Sequence, residues 1–252
     1  MTKIFSLANH KGGVGKSSSC SAIGAYLHKL KYKVLLVDLD PQANLTLMFG
    51  VKPTQTIYDA LRGRVALSNI IASISDGLDI VPSNLDLCGA EIELSSESGR
   101  EFILKDLLSS VKNNYDYILI DCPPSLGLLT LNSLTASDRV LIPLQAQFLA
   151  MQGFSKLQDV IYKIQKRLNP NLRISGVFLT QYDSRKILNR NVAETLQKHF
   201  KGKVFKSKIR NNIAIAEASA VGKHLFDYNK KCSGAVDYEA LTKEILAREN
   251  NV

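Results

Sequence analysis

A doubly wound α/β fold, with a mostly parallel sheet and helices on both faces, is the architecture this sequence predicts, and three observations carry it. Short apolar runs bounded by turn residues alternate with longer amphipathic stretches, the βαβ pattern of a sheet covered on both sides. The first apolar run leads through a glycine-rich turn straight into a helix-like stretch. No repeat or low-complexity linker interrupts the alternation over 252 residues, a length at which such folds run as a single domain, here 1–252.

Taken in order, the apolar runs at 4–8, 34–39, 78–81, 117–120, 140–143, 174–180 and 204–209 read as strands. The intervening stretches read as helices. In 17–31 the apolar residues Cys20, Ile23, Leu27 and Leu30 recur at steps of three and four, one stripe of a helix. Residues 100–111, 152–168, 187–200 and 238–248 share that periodicity.

Composition narrows the function classes. With 45% apolar and 22% charged residues the chain is neither disordered nor collagen-like. Apolar runs such as 34–37 and 117–120 fall far short of the roughly 20 residues of a membrane-spanning helix. The start, MTKIFSLANHKGG, has no apolar secretory core, so a cytoplasmic location is expected. Cys20, Cys88, Cys122 and Cys232 form no CxxC pair and read as buried or incidental thiols. Residues 1–150 hold 13 basic and 14 acidic residues, whereas 151–252 hold 19 and 9. That asymmetry suggests a polyanion-facing surface in the second part, or simply a solvated lysine-rich one.

Three motifs carry chemistry. HKGGVGKSS at 10–18 sits between strand and helix, where glycines let backbone N–H groups converge on phosphates. Lys16 adds a charge for the β and γ phosphates, and the Ser17 hydroxyl suits Mg2+. The general G-x-x-x-x-G-K-[ST] pattern asks for glycine at position 10, occupied here by His10, while a second lysine, Lys11, opens the KGG triplet. VLLVDLDPQANLT at 34–46 delivers Asp38 and Asp40 past the end of a buried strand, where open α/β sheets bind ligands. YDYILIDCPPSLG at 115–127 ends an apolar run on Asp121, the placement of an aspartate that holds magnesium. Pro123 and Pro124 then force a sharp exit, leaving a segment free to switch.

The loop Lys11-Gly12-Gly13-Val14-Gly15-Lys16-Ser17 resembles the deviant Walker A loop of the ParA, MinD and nitrogenase-iron-protein group of P-loop NTPases. With LLVDLDPQANLT, YILIDCPPSLGLLTLNSL and VLIPLQAQFLAMQGFSKL following in order, the chain is similar over nearly its whole length to the ParA/Soj family of DNA-partitioning ATPases. LTQYDSR at 179–185 and EAS at 217–219 resemble family motifs more loosely.

The resemblance implies ATP/ADP and Mg2+ as cofactors and an ATP-dependent homodimer in which Lys11 reaches the partner's phosphates. Residues 11–17 and Ser18 would hold the phosphates, Ser17, Asp38 and Asp121 the metal, and Asp40 the attacking water. Residues 38–46 and 121–130 would be the two switch regions. Relatives often carry an arginine where this chain has Ala214, so Arg210 would take over part of that role, with Asn212 beside it at the nucleotide. The family binds DNA without sequence preference. Here Lys206, Lys208 and Arg210 alternate with other residues, which predicts three cations on one face of an extended segment. Arg185, Lys201, Lys203, Lys223, Lys230 and Lys231 extend the basic part, about 185–231. Hydrolysis would be slow and stimulated by a ParB-type centromere-binding partner, and the protein would associate with the nucleoid.

A MinD-like, membrane-recruited regulator is the alternative. It needs an amphipathic, lipid-seeking tail, but residues 238–248 carry two acidic and two basic residues and neither Phe nor Trp. Leu241, Ile245 and Leu246 are instead expected to pack back on the domain, with no stable membrane association. An electron-transfer iron protein would need paired cluster cysteines in matched settings, which Cys88 and Cys122 lack.

Overall fold

The computed structural model describes residues 2–147, 150–200 and 202–250. In chain order these form β1 (Lys3–Leu7), α1 (Lys16–Lys29), β2 (Val34–Asp38), α2 (Asn44–Met48), α3 (Ile57–Leu61), α4 (Leu67–Ile70), β3 (Ala72–Ser75) and β4 (Leu78–Val81). There follow α5 (Ala90–Glu93), α6 (Ile103–Ser109), β5 (Tyr117–Asp121), α7 (Leu128–Ala136), β6 (Arg139–Gln145), α8 (Ala150–Arg167), β7 (Arg173–Tyr182) and α9 (Ile187–His199). The chain closes with β8 (Val204–Arg210), α10 (Ala214–Ala220), α11 (Leu225–Asn229) and α12 (Ser233–Asn250).

The strands build one eight-stranded sheet in the order β3-β4-β2-β5-β1-β6-β7-β8, parallel throughout except for β3 on β4. All seven expected strands are present. The edge strand β3 is missing from the sequence reading, because Ala72–Ser75 reads ASIS, four alternating residues too short to stand out and without the continuous apolar run of a buried strand. Helix α12 starts five residues before the expected 238, since its first turn, SGAVD, carries too little apolar periodicity to mark the start. Helix α7 is likewise invisible to the periodicity. It is buried along most of its length, and all-round burial erases the stripe that betrays an amphipathic helix.

Alternation along the central strands sorts the core onto two faces. Phe5, Leu7, Leu36, Leu119 and Phe178 pack towards α1 and α12, where Tyr238, Leu241 and Ile245 are buried. The expected stripe of the last helix therefore does pack on the domain, with Leu246 at its margin. Leu35, Val37, Ile118 and Ile120 face the opposite way, towards α3, α6 and α7. On that same side Val140, Ile142 and Leu144 meet Phe154, Leu157 and Ile161 of α8.

Helix α1 lies unusually close to the sheet. A Cβ on Gly24 would meet Leu36 Cδ2 at 2.5 Å and Leu119 Cδ1 at 3.3 Å, so glycine there sets how near α1, and the loop that opens it, can approach.

Candidate nucleotide-binding site

The loop after β1 is tied down at its second residue, Asn9. The Asn9 amide donates to the Pro143 carbonyl at 2.7 Å and its Oδ1 accepts the Lys11 N–H at 3.0 Å. The chain then turns through Gly13 (φ 72°) and Gly15 (φ 85°), the second of which caps α1 in the left-handed conformation. Gly12 does not share that need. Its φ is not in the left-handed range, and an added Cβ would meet only Pro124, at 3.8 Å.

No side chain caps α1 and no acidic residue occupies its first turn, so its free N–H groups and positive dipole end face the cleft. Lys16 is buried, its ammonium 3.5 Å from the Lys11 carbonyl. Ser17 and Ser18 follow, partly exposed. Lys11 is exposed and its ammonium donates to Gln147 Oε1, away from its own loop.

Leu7, Asp121 and Asp38 are matched in register across β1, β5 and β2, which brings the two aspartates side by side at the strand tips. Both are fully buried. Asp38 Oδ2 accepts the Thr46 N–H and hydroxyl at 2.8 and 2.7 Å, and Oδ1 accepts the Asp40 N–H at 3.2 Å. Burial still pushes its carboxyl up to about 6, against those hydrogen bonds. Neither oxygen of Asp121 has a well-formed hydrogen bond. Burial and neighbouring Asp38 hold Asp121 well above the usual carboxylate range, although the Ser17 hydroxyl and Lys16 ammonium pull the other way. An unpartnered buried carboxylate beside a serine hydroxyl is a donor set suited to a hard divalent cation. Asp40 is 5% exposed, and its Oδ1 accepts the Gln42 N–H at 2.9 Å.

Two adjoining clefts meet at this loop. One, about 350 Å³, is lined by residues of the glycine loop with Asp40, Gln42 and Pro124. The other, about 390 Å³, runs between the ends of β7 and β8 and α10, past Thr180, Ile209, Arg210, Asn212, Ile215 and Tyr238. Gly15, Ser18, Met48 and Gln181 line both, so the trough runs from an evenly mixed polar and apolar end at the glycine loop to a more apolar end. Arg210 and Asn212 lie in the second cleft. The Asn212 amide donates to Ser233 Oγ at 2.5 Å and its Oδ1 accepts the Ala214 N–H at 2.8 Å.

On β8 the expected alternation holds, with Phe205 and Ile209 buried and Lys206 and Arg210 exposed, but two of the three cations are engaged by neighbours. Lys206 is exposed, but Lys208 lies over the Tyr182 ring at 4.4 Å, and the Arg210 guanidinium turns back onto Asp237 Oδ1 at 2.7 Å. Asp237, a residue of α12 distant in sequence, engages the Arg210 guanidinium while leaving it half exposed. Arg185 is paired with Asp183 and 89% exposed, while Lys223 and Lys230 are exposed on the α10–α11 side. Lys201 lies outside the described residues.

Sequence reasoning misses Thr180, Gln145 and Gln181, which reach the loop from the ends of β7 and β6. Their one signal in the sequence is that both segments end apolar strands at the level of the glycine turn.

Glycine loop, helix N-terminus and paired strand-tip aspartates together define a P-loop nucleotide-binding protein. An AAA domain family model matches residues 2–174. Sporulation initiation inhibitor protein Soj of Bacillus subtilis is 45% identical over 98% of this chain and 99% of its own length. Chromosome-partitioning ATPase Soj of Treponema pallidum is 42% identical over 99% of both. This chain belongs to the ParA/Soj family of partitioning ATPases. Among solved structures, a cobyrinic acid a,c-diamide synthase of Mycobacterium smegmatis with bound ADP and magnesium superposes with a TM-score of 0.88, at 35% identity over 99% of this chain and 96% of that one. A putative plasmid partition protein of Borrelia burgdorferi bound to AMPPNP gives 0.85 at 28% identity, over 99% and 100%.

Proposed function

We propose that this chain is a magnesium-dependent ATPase that dimerises on ATP, binds DNA without sequence preference and positions a plasmid or chromosome together with a ParB-type partner. The observation that carries this reading is the unsatisfied Asp121 carboxylate beside Ser17 and Lys16, on a chain similar over its full length to partitioning ATPases.

In this reading Lys16 and the N–H groups of residues 12–18 hold the phosphates, and Ser17 and Asp121 hold Mg2+, with Asp38 behind them. Bound there, Mg2+ would supply charge neutralisation for the phosphates. Asp40 orients the attacking water. Lys11 swings from Gln147 to the phosphates of a second subunit, completing a site that turns over slowly until the partner protein acts. Residues 38–46 and 121–130 act as the switch regions. Arg210 and Asn212 line the base and ribose end.

Lys206, Lys223, Lys230 and Arg185 supply phosphate contacts on the DNA backbone, which give affinity without base reading. A MinD-like membrane role is disfavoured by α12, whose Leu241 and Ile245 are committed to the core. Among the described residues no helix is long and apolar enough to cross a membrane.

Binding to a random-sequence duplex and to anionic liposomes, each with ATP, ADP or no nucleotide over a salt series, tests the proposal. Salt-sensitive DNA binding that requires ATP is expected. ATP-dependent liposome binding without DNA binding would replace it with the membrane reading.

A further inference from the structure

The phosphate loop is held from outside by three side chains. The Gly13 carbonyl accepts the side-chain amides of both Gln145 and Gln181, each at 2.9 Å, and Gln145 also donates to Gln181 Oε1 at 2.7 Å. Next along the loop, the buried Thr180 hydroxyl donates to the Val14 carbonyl at 2.8 Å. Gln145, the last residue of β6, and Thr180, two before the end of β7, are register partners, so two adjacent strands grip consecutive peptides of the loop.

Regular alternation would turn Gln181 to the face opposite Thr180. It does not do so, because Gln181 has φ 50° and the β7–β8 register shifts between Leu179 and Tyr182. Left-handed backbone is unfavourable for glutamine by about 1 kcal/mol or more, and such outliers cluster where function over-determines them. The irregularity re-aims one side chain, as bulges beside sites commonly do. Its visible result is a second donor on the Gly13 carbonyl.

A trans peptide points its N–H opposite its C=O. Fixing the Gly13 carbonyl therefore fixes the Val14 N–H, and fixing the Val14 carbonyl fixes the Gly15 N–H. We infer that Gln145, Gln181 and Thr180 are positioning residues that hold these two N–H groups turned towards phosphate before the nucleotide arrives. This rests on the nucleotide reading above. The gain comes from pre-organisation: a loop already set does not have to be ordered by its ligand.

The test uses Gln145→Ala, which removes one amide from the Gly13 carbonyl and the bond that steadies Gln181, at a residue that lines neither cleft. Titrations with MgADP and with adenosine, which has no phosphate, separate the two ends of the trough. MgADP affinity should fall about tenfold, the worth of one or two hydrogen bonds, with adenosine affinity unchanged. A loss of MgADP affinity below about threefold, smaller than one such bond, overturns the inference. So does a parallel loss of adenosine affinity, which would place the effect in the base cleft. If the wild-type chain itself binds no MgADP, the nucleotide reading fails, and this inference with it; binding by wild type that Lys16→Ala abolishes keeps the two failures apart.

Discussion

Asp38 and Asp121 end neighbouring parallel strands as register partners, both fully buried, yet Asp38 accepts well-formed hydrogen bonds whereas Asp121 has only the Ser17 hydroxyl and Lys16 ammonium nearby. Two adjacent buried carboxylates cost stability unless protons or a cation neutralise them. Asp121→Asn should therefore raise the stability of the metal-free protein, by about 1–3 kcal/mol, while removing its stabilisation by Mg2+ with nucleotide. Thermal melts with and without MgADP read both effects. A destabilised variant that still responds to magnesium would contradict the assignment.

Asp40 tethers the loop after β2 through the Gln42 N–H and lines the cleft at the glycine loop. In Asp40→Ala, ATP binding and ATP-driven dimerisation should persist while hydrolysis drops by about 10² or more, the usual weight of a general base. Single-turnover hydrolysis beside an ATP-binding titration checks it, and near-normal turnover removes Asp40 from the mechanism.

The two loop lysines should separate cleanly. Lys16 is buried in its own loop, whereas the Lys11 ammonium is directed at Gln147. Lys16→Ala should abolish nucleotide binding, and Lys11→Ala should leave monomeric ADP binding within about twofold while ATP no longer drives dimerisation. Sedimentation with each nucleotide distinguishes them; loss of ADP binding in the Lys11 variant would assign both lysines to one subunit.

For DNA, Arg210 should not behave like its neighbours. Charge reversal at Lys206, Lys223 and Lys230 should weaken binding to any sequence and lower the salt slope by about one for each DNA phosphate no longer neutralised. Arg210→Glu instead breaks a pair whose Asp237 side chain is only 10% exposed, and sets two carboxylates together. It should cost about 1–3 kcal/mol of stability, between the values for exposed and buried pairs. Melting curves beside salt-titrated DNA binding check this, and a stable Arg210→Glu with a flattened salt slope would restore Arg210 to the DNA surface.

His224 caps α11, its Nδ1 accepting the Asp227 N–H at 3.2 Å. Burial, aided by nearby His28 and opposed by Asp227, lowers its pKa below the ordinary 6.5. The unfolded chain then takes up the proton first, so this cap contributes fully above pH 6.5 and is lost as pH falls below it through the folded value. His224→Gln should flatten that part of the stability profile; an unchanged slope would place the titration elsewhere.

By itself the sequence determined the alternation of strands and helices along the chain, the glycine loop, Lys16, Ser17 and the two strand-tip aspartates. These are local: an apolar run, a turn that only glycine makes at Gly13 and Gly15, and a charge at a strand end all lie within a few residues of one another. Tertiary structure alone decided what lies across strands. It set Asp38 against Asp121, drew Arg210 onto Asp237, and brought Gln145 and Gln181 to the Gly13 carbonyl. Such partners are separated by tens to more than a hundred residues, and the pleat and register that join them are properties of the assembled sheet, to which local periodicity is blind.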